Sequence, residues 1–295
     1  MRLAPGRVGL YTVDFFPPVV DDARAYGAIA AANSLSDIYA CGGEAKVVLN
    51  LAGFPEDWGE DILGPLFEGA VEKVMEAGAL WVGGHSVRSQ EPLFGFAVFG
   101  EVSESARIGH EGAQPGDRVF LTKPLGAGSI TTGVKKGKTR PEDALAAIAI
   151  MARLNRPAAR AMREAGVRAA TDITGFGLLG HASNLAQGSG VRMQIRADRL
   201  PLYAGAADLA ARGILSGGSA RGRAVLADKV EIAARVPAWL ADIAFDAETS
   251  GGILACVPAA AAAGFRQAYA AAGGIAADAV EVGEILGGPP RVVLT

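Results

Sequence analysis

The sequence predicts two α+β domains. Three observations carry this. Apolar runs of strand length alternate with longer stretches of helical period. A polar, Gly- and Pro-marked stretch, Glu104–Gly116 (ESARIGHEGAQPG), interrupts the pattern and marks a boundary. The length, 295 residues, suits two domains of ordinary size. The pattern has no clear internal repeat and no low-complexity tract beyond Ala-rich helix.

The first part reads in order as follows. Val8–Phe16 is a strand. Asp21-Asp22 caps a helix over Ala23–Ala40 that stops at Gly42-Gly43. Glu60–Ala77 is an amphipathic helix. Its apolar stripe is Leu63, Leu66, Phe67, Ala70, Val71, Val74 and Met75, with Glu68, Glu72 and Lys73 off the stripe. Ala79–Val82 is a short buried strand that ends in Gly83-Gly84, and Phe94–Val102 is another strand. Beyond the boundary, Arg118–Thr122 is a strand followed by a Lys123–Gly126 turn. Helices follow over Pro141–Leu154 and Arg156–Ala165. A strand at Val167–Ala170 runs into Thr171-Asp172 and a glycine turn. The remainder alternates: a helix from Leu178, a strand at Val191–Ile195, a helix from Leu202, a strand at Ile253–Val257, a helix at Ala259–Ala272, and strands near Val280 and Val292.

Composition narrows the function. Half of the residues are apolar and the net charge is −3 with both signs interspersed, so nucleic acid and an anionic membrane surface are not expected partners. No apolar run approaches the roughly 20 residues that cross a bilayer, and the first residues lack a signal-peptide core, so a cytoplasmic protein is expected. Cys41 and Cys256 form no disulfide framework and read as small hydrophobes. The histidines, His85, His110 and His181, lack metal-ligand spacing.

Several constellations can carry chemistry. Asn33 and Asp37 are four apart, which puts them on one helix face among small and apolar residues, where a carboxylate needs a partner. A hard cation with phosphate oxygens is one such partner, and an ordinary hydrogen bond is another. Asp172 stands at a strand end before Gly175 and Gly177, a strand–turn–helix arrangement that offers backbone N–H groups to an anion; a plain tight turn fits the same letters. Gly83-Gly84-His85 permits close backbone approach to a ligand, or forms a bulge. Asp14 is a charge set between bulky apolar residues. Lys123 and Glu248–Gly252 read as turn residues, with Lys123 in reach of phosphate. Walker A, HExxH and Ser-His-Asp patterns are absent. The residues alone point to a Mg-phosphate enzyme.

In order along the chain, TVDFFPPVVDD (12–22), AANSLSDIYACGG (31–43), GGHSV (83–87), LTKPLGAG (121–128), TDITGFGLLGH (171–181) and ETSGGIL (248–254) resemble the selenophosphate synthetase family. This family lies within the aminoimidazole ribonucleotide synthetase-like superfamily. The resemblance implies an N-terminal ATP-binding and dimerisation domain (1–110) and a C-terminal α+β domain (111–295). It also implies a homodimer whose N-terminal sheets pair into a barrel. The implied reaction turns ATP, selenide and water into selenophosphate, AMP and phosphate, for selenocysteine and selenouridine synthesis. By position, Asp37 and Asp172 match Mg2+-binding aspartates, and Asp14, Asp37, Gly83, Gly84 and His85 match ATP-contacting positions. The family also carries an N-terminal glycine-rich segment with a reactive Cys or selenocysteine, a Lys and a further metal-binding Asp. Met1–Tyr11 contain none of these residues, so the resemblance implies a chain shortened at its start, with its catalytic residue unassigned. The alternative is a catalytically impaired nucleotide-binding dimer acting as a regulatory or assembly partner.

Overall fold

Alternating side chains from Arg7 to Phe16 and a β-rich run from Leu93 to Ser103 pair antiparallel over their full lengths, Arg7 with Ser103 and Phe16 with Phe94. They seed the first sheet of the computed structural model, which describes all 295 residues. The N-terminal unit comprises Met1–Arg107 and Ile148–Arg156. Its elements are β1 (Arg2–Ala4), β2 (Arg7–Phe16), α1 (Ala23–Ala40), β3 (Glu44–Phe54), α2 (Glu60–Ala77), β4 (Leu80–Arg88) and β5 (Leu93–Ser103). The sheet order is β1-β2-β5-β3-β4, antiparallel except for the β3–β4 pair, which α2 connects.

Asp22 caps α1 as its residue type predicts, with Oδ1 accepting from Ala25 N at 2.7 Å. Burial of α1 on nearly every side follows from its place between the sheet and α2. The two helices cross at glycines. A Cβ on Gly27 would lie 1.9 Å from the Leu66 carbonyl oxygen, and one on Gly69 would lie 2.0 Å from that of Arg24. Between the sheet and α2, Phe54, Phe67, Trp81, Phe94 and Phe96 form a chain of edge and stacked ring contacts. The segment Ile148–Arg156 joins this unit through hydrogen bonds from Asn155 Nδ2 to Ser36 Oγ (2.9 Å) and from Arg156 Nη1 to the Glu76 carbonyl (3.0 Å).

Three expectations are corrected here. The strand expected at Ala79–Val82 is neither short nor buried, but runs through Gly83-Gly84 to Arg88 as an exposed edge strand, because β3 alone pairs with it. Glu44–Phe54 is a long interior strand that the pattern did not announce, since both of its faces are apolar. On α2, Val71 and Met75 face outward (40% and 72% exposed), since the glycine-lined crossing with α1 is narrower than the apolar stripe.

The C-terminal unit comprises Ile108–Ala147 and Pro157–Thr295. Its strands are β6 (Arg118–Leu121), β7 (Ala169–Asp172), β8 (Arg192–Ile195), β9 (Val230–Ile232), β10 (Ile253–Val257), β11 (Val280–Leu286) and β12 (Arg291–Leu294). The helices are α3 (Ala127–Lys135), α4 (Pro141–Met151), whose last turn belongs to the first unit, α5 (Arg156–Glu164), α6 (Gly177–Ser189), α7 (Ala206–Ala211), α8 (Gly218–Val225), α9 (Ala238–Phe245) and α10 (Ala259–Ala271). The sheet order is β7-β10-β6-β11-β8-β12-β9. The helix expected from Leu202 starts instead at Ala206, because the backbone at 201–203 pairs with Leu125: Leu125 N donates to the Pro201 carbonyl and Tyr203 N to the Leu125 carbonyl. Every residue of β10 is buried, which fits its apolar sequence ILACV and its position between β6 and β7.

Candidate functional site

In the N-terminal unit, β2 and α1 bring two carboxylates together. Alternation along β2 places Thr12 and Asp14 on the face that meets α1, where Asn33 and Asp37 stand one turn apart. Thr12 Oγ1 donates to Asp37 Oδ2 at 2.5 Å, and Asn33 Nδ2 donates to Asp14 Oδ2. Ser34 fixes the backbone between them: its hydroxyl reaches the Asp14 carbonyl at 2.9 Å and accepts from Phe96 N at 3.2 Å. Burial, together with the charge of Asp37, raises the Asp14 carboxyl above its ordinary range, against the pull of the Asn33 amide. Two carboxylates at one place, held by a hydroxyl and an amide, offer oxygens that suit a hard divalent cation.

Gly83, Gly84 and His85 lie on β4, three strands from β2 in the sheet order. Gly84 adopts φ +157°, and a Cβ there would lie 2.1 Å from Asn50 Oδ1, so the position admits only glycine. Trp81 Nε1 donates to the Gly83 carbonyl at 2.9 Å, which fixes this kinked segment, and His85 stands exposed beyond it. The structure therefore brings Asp14 and Asp37 to one place, held by Asn33 and Thr12, and leaves the glycine pair and His85 at the sheet edge.

In the C-terminal unit, Asp172 is the last residue of β7 and is buried. The turn after it is pinned by His181, one turn into α6. His181 Nε2 accepts from Thr174 N at 3.1 Å and lies 3.2 Å from Thr174 Oγ1, while Nδ1 lies 3.4 Å from Thr171 Oγ1. Burial lowers the imidazole to about 4, so the ring is neutral and free to accept. Gly177 has φ +66°, and a Cβ there would lie 2.6 Å from the carbonyls of Phe245 and Asp246. No side chain caps α6.

The other strand–turn–helix of this unit, β6 to α3, is closed. Glu248 places Oε1 2.6 Å from Gly126 N and Oε2 3.0 Å from Ala127 N, filling the N-terminal end of α3. Burial pushes its carboxyl up, to about 8, against those two donors. Lys123 is also buried, with Nζ donating to the Ser250 carbonyl at 2.8 Å. Ser250 holds φ +51°, a left-handed conformation that is unusual for a non-glycine residue. Asp246 is fully buried and accepts from Ser216 N at 3.1 Å. In the sequence Glu248 read only as part of a turn and Asp246 did not stand out, because their partners lie far along the chain. Cys256 is buried within β10, and burial pushes its thiol up to about 12, so it remains a packing residue.

The fold and these sites define an AIR synthase-related protein of two α+β domains. The family described as "AIR synthase related protein, N-terminal domain" matches residues 1–102, and "AIR synthase related protein, C-terminal domain" matches residues 114–294. Within this class, the chain belongs to the selenide, water dikinase family. It is 43% identical over 293 residues to the "Selenide, water dikinase" of Myxococcus xanthus (strain DK1622), an alignment spanning 99% of this chain and 82% of that protein. It is 45% identical over 248 residues to that of Caldanaerobacter subterraneus subsp. tengcongensis, covering 84% and 72%. Among solved structures, thiamine-monophosphate kinase from Stenotrophomonas maltophilia K279a shares the fold with a TM-score of 0.73 at 20% identity, over 98% of this chain and 85% of that one. Hydrogenase maturation protein HypE in complex with ATP does so with a TM-score of 0.73 at 16% identity, over 97% and 81%.

Proposed function

We propose that the chain is a selenide, water dikinase that uses ATP, selenide and water to make selenophosphate, AMP and phosphate. The identity to enzymes of that name along nearly the whole chain carries the reading. Asp14 and Asp37 in the N-terminal unit and Asp172 in the C-terminal unit are the proposed carboxylates for Mg2+ and polyphosphate. Bound Mg2+ supplies neutralisation of the polyphosphate charge. The chain's own groups do the rest. Thr12 and Asn33 orient the two carboxylates of the first unit. The uncapped α6 end offers backbone N–H groups to phosphate oxygens. Gly83, Gly84 and His85 are proposed as further nucleotide contacts, supported by a kinked backbone that only glycine can form. The proposed setting is the cytoplasm, and no helix is long and apolar enough to cross a membrane.

We further propose a homodimer formed through the first sheet. The face opposite α1 exposes Tyr11 (61%), Val13 (58%) and Phe15 (46%) on β2 and Leu49 (44%) on β3, with β5 between the two strands. A contiguous apolar face of this kind favours a second copy. An obligate interface commonly buries more than about 2,000 Å².

The reaction is tested by anaerobic incubation with ATP and Mg2+, with and without selenide, and quantitation of AMP. Selenide-dependent AMP formation supports the reading. ADP as the sole nucleotide product, or AMP formed equally without selenide, overturns it.

A further inference from the structure

We infer that Glu248 is a positioning residue, whose carboxylate and backbone bolt the turn carrying Lys123 to the turn carrying Asp172. The inference rests on the proposed role of Asp172 toward Mg2+ and phosphate.

Topology makes the junction. β10 lies between β7 and β6 and runs antiparallel to both. The Glu248–Gly252 turn that feeds β10 therefore emerges between the C-terminal ends of β6 and β7. Each of those ends opens into a glycine turn and a helix, to α3 after Lys123 and to α6 after Asp172. Glu248 reaches both. Its carboxylate accepts from Gly126 N and Ala127 N at 2.6 and 3.0 Å, and its own N–H donates to the Thr174 carbonyl at 3.1 Å. The rest of the turn repeats the connection. Ser250 offers its carbonyl to Lys123 Nζ at 2.8 Å, and Ile173 N donates to the Gly252 carbonyl at 2.9 Å. Gly251 packs so close that a Cβ would lie 2.3 Å from the Ile173 carbonyl oxygen. The two residues flanking Asp172 on its C-terminal side, Ile173 and Thr174, are thus both held by the 248–252 turn.

The same side chain closes one of two helix ends. Each of α3 and α6 begins after a strand and a glycine turn, the arrangement that receives anions. Glu248 fills the α3 end with acceptor oxygens of the protein's own. The α6 end, next to Asp172, has no side-chain cap. A buried carboxylate is costly unless its oxygens are satisfied. The N–H groups of Gly126 and Ala127 satisfy both oxygens at this one place, which fixes the side chain there.

Calorimetric titration of Mg2+ with a non-hydrolysable ATP analogue tests the role, run on wild type, Glu248→Gln, Glu248→Asp and Asp172→Asn, with thermal melts alongside. Glu248→Gln keeps the shape but replaces one acceptor oxygen with an N–H2 donor. Glu248→Asp keeps the carboxyl but is too short to reach both N–H groups, and it decides the question if the Gln variant does not fold. The inference expects the Mg2+ concentration for half-maximal nucleotide binding to rise about tenfold, as for groups that orient a metal carboxylate. Melting changes with wild-type Mg2+ dependence in the folded Glu248 variants overturn it, since capping alone then explains the residue. If Asp172→Asn also leaves the Mg2+ dependence unchanged, the proposed role of Asp172 falls with it. If Asp172→Asn shifts the dependence and the Glu248 variants do not, only the inference falls.

Discussion

Asp14 shows how one side chain records the chemistry of its site. It is half-buried beside a second carboxylate; burial and that neighbour both raise the cost of its charge, and an amide from Asn33 offsets part of that cost. In the proposed site a bound divalent cation would meet the remainder. Replacing Asp37 with Asn is therefore expected to weaken binding of a Mg–ATP analogue by about tenfold or more, as loss of a metal carboxylate should exceed loss of its supporting groups. Calorimetry checks this, and unchanged affinity removes Asp37 from the site. His181 makes a prediction of a different kind. Its folded-state value, about 4, lies below the 6.5 of an unperturbed imidazole. The unfolded chain thus binds the proton more readily between those values, and stability rises with pH across that window. As pH falls from 6.5 to 4 the neutral ring costs progressively more, up to roughly 3 kcal/mol. Denaturant melts at pH 4.5 and 7 should show this loss in wild type and a smaller one in His181→Gln.

The crossing of α1 and α2 depends on two glycines that bring the helix backbones into contact. Gly27→Ala is expected to destabilise by about 1–3 kcal/mol, because its Cβ would lie 1.9 Å from the Leu66 carbonyl oxygen, and helix propensity returns only about 1 kcal/mol. Gly64, also in α2, has open space at its Cβ, so Gly64→Ala is expected to be neutral or to stabilise by up to about 1 kcal/mol. Chemical denaturation of both variants separates packing from propensity. The helices themselves were legible in the sequence: Asp22 and the period of Glu60–Ala77 mark their starts and faces. Gly27 and Gly69 were not, because a close crossing is a property of two helices together. Among strands, β10 announced itself by a run of apolar residues, whereas β3, apolar on both faces with a polar residue at Asn50, offered no alternation to read. In the candidate site, Asp14, Asp37 and Asp172 could be picked out because a charge among small or apolar neighbours is locally unusual. Glu248 could not, since its partners Gly126 and Ala127 lie more than a hundred residues earlier. His181 lay inside a resembling motif, yet its task of holding Thr174 becomes visible only when the turn closes.

Taken whole, the chain carries two carboxylate sites, one in each unit, and an apolar sheet face in the first. The face predicts association: light scattering at micromolar concentration should give twice the 30.1 kDa chain mass. Replacing Val13 and Phe15 with charged residues should shift the protein toward monomer. A monomer in wild type at every concentration contradicts the proposed dimer. The central claim is the chemistry. Selenide is an anion attacking a polyanion, so transfer depends on the groups that neutralise phosphate charge. The most direct measurement is ³¹P NMR of an anaerobic reaction containing ATP, Mg2+ and selenide, with wild type and with Asp37→Asn and Asp172→Asn. The account predicts a selenophosphate resonance accompanied by AMP and orthophosphate in wild type, and its loss in both variants. ATP consumed without a selenophosphate resonance in wild type, or undiminished selenophosphate in both variants, would contradict it.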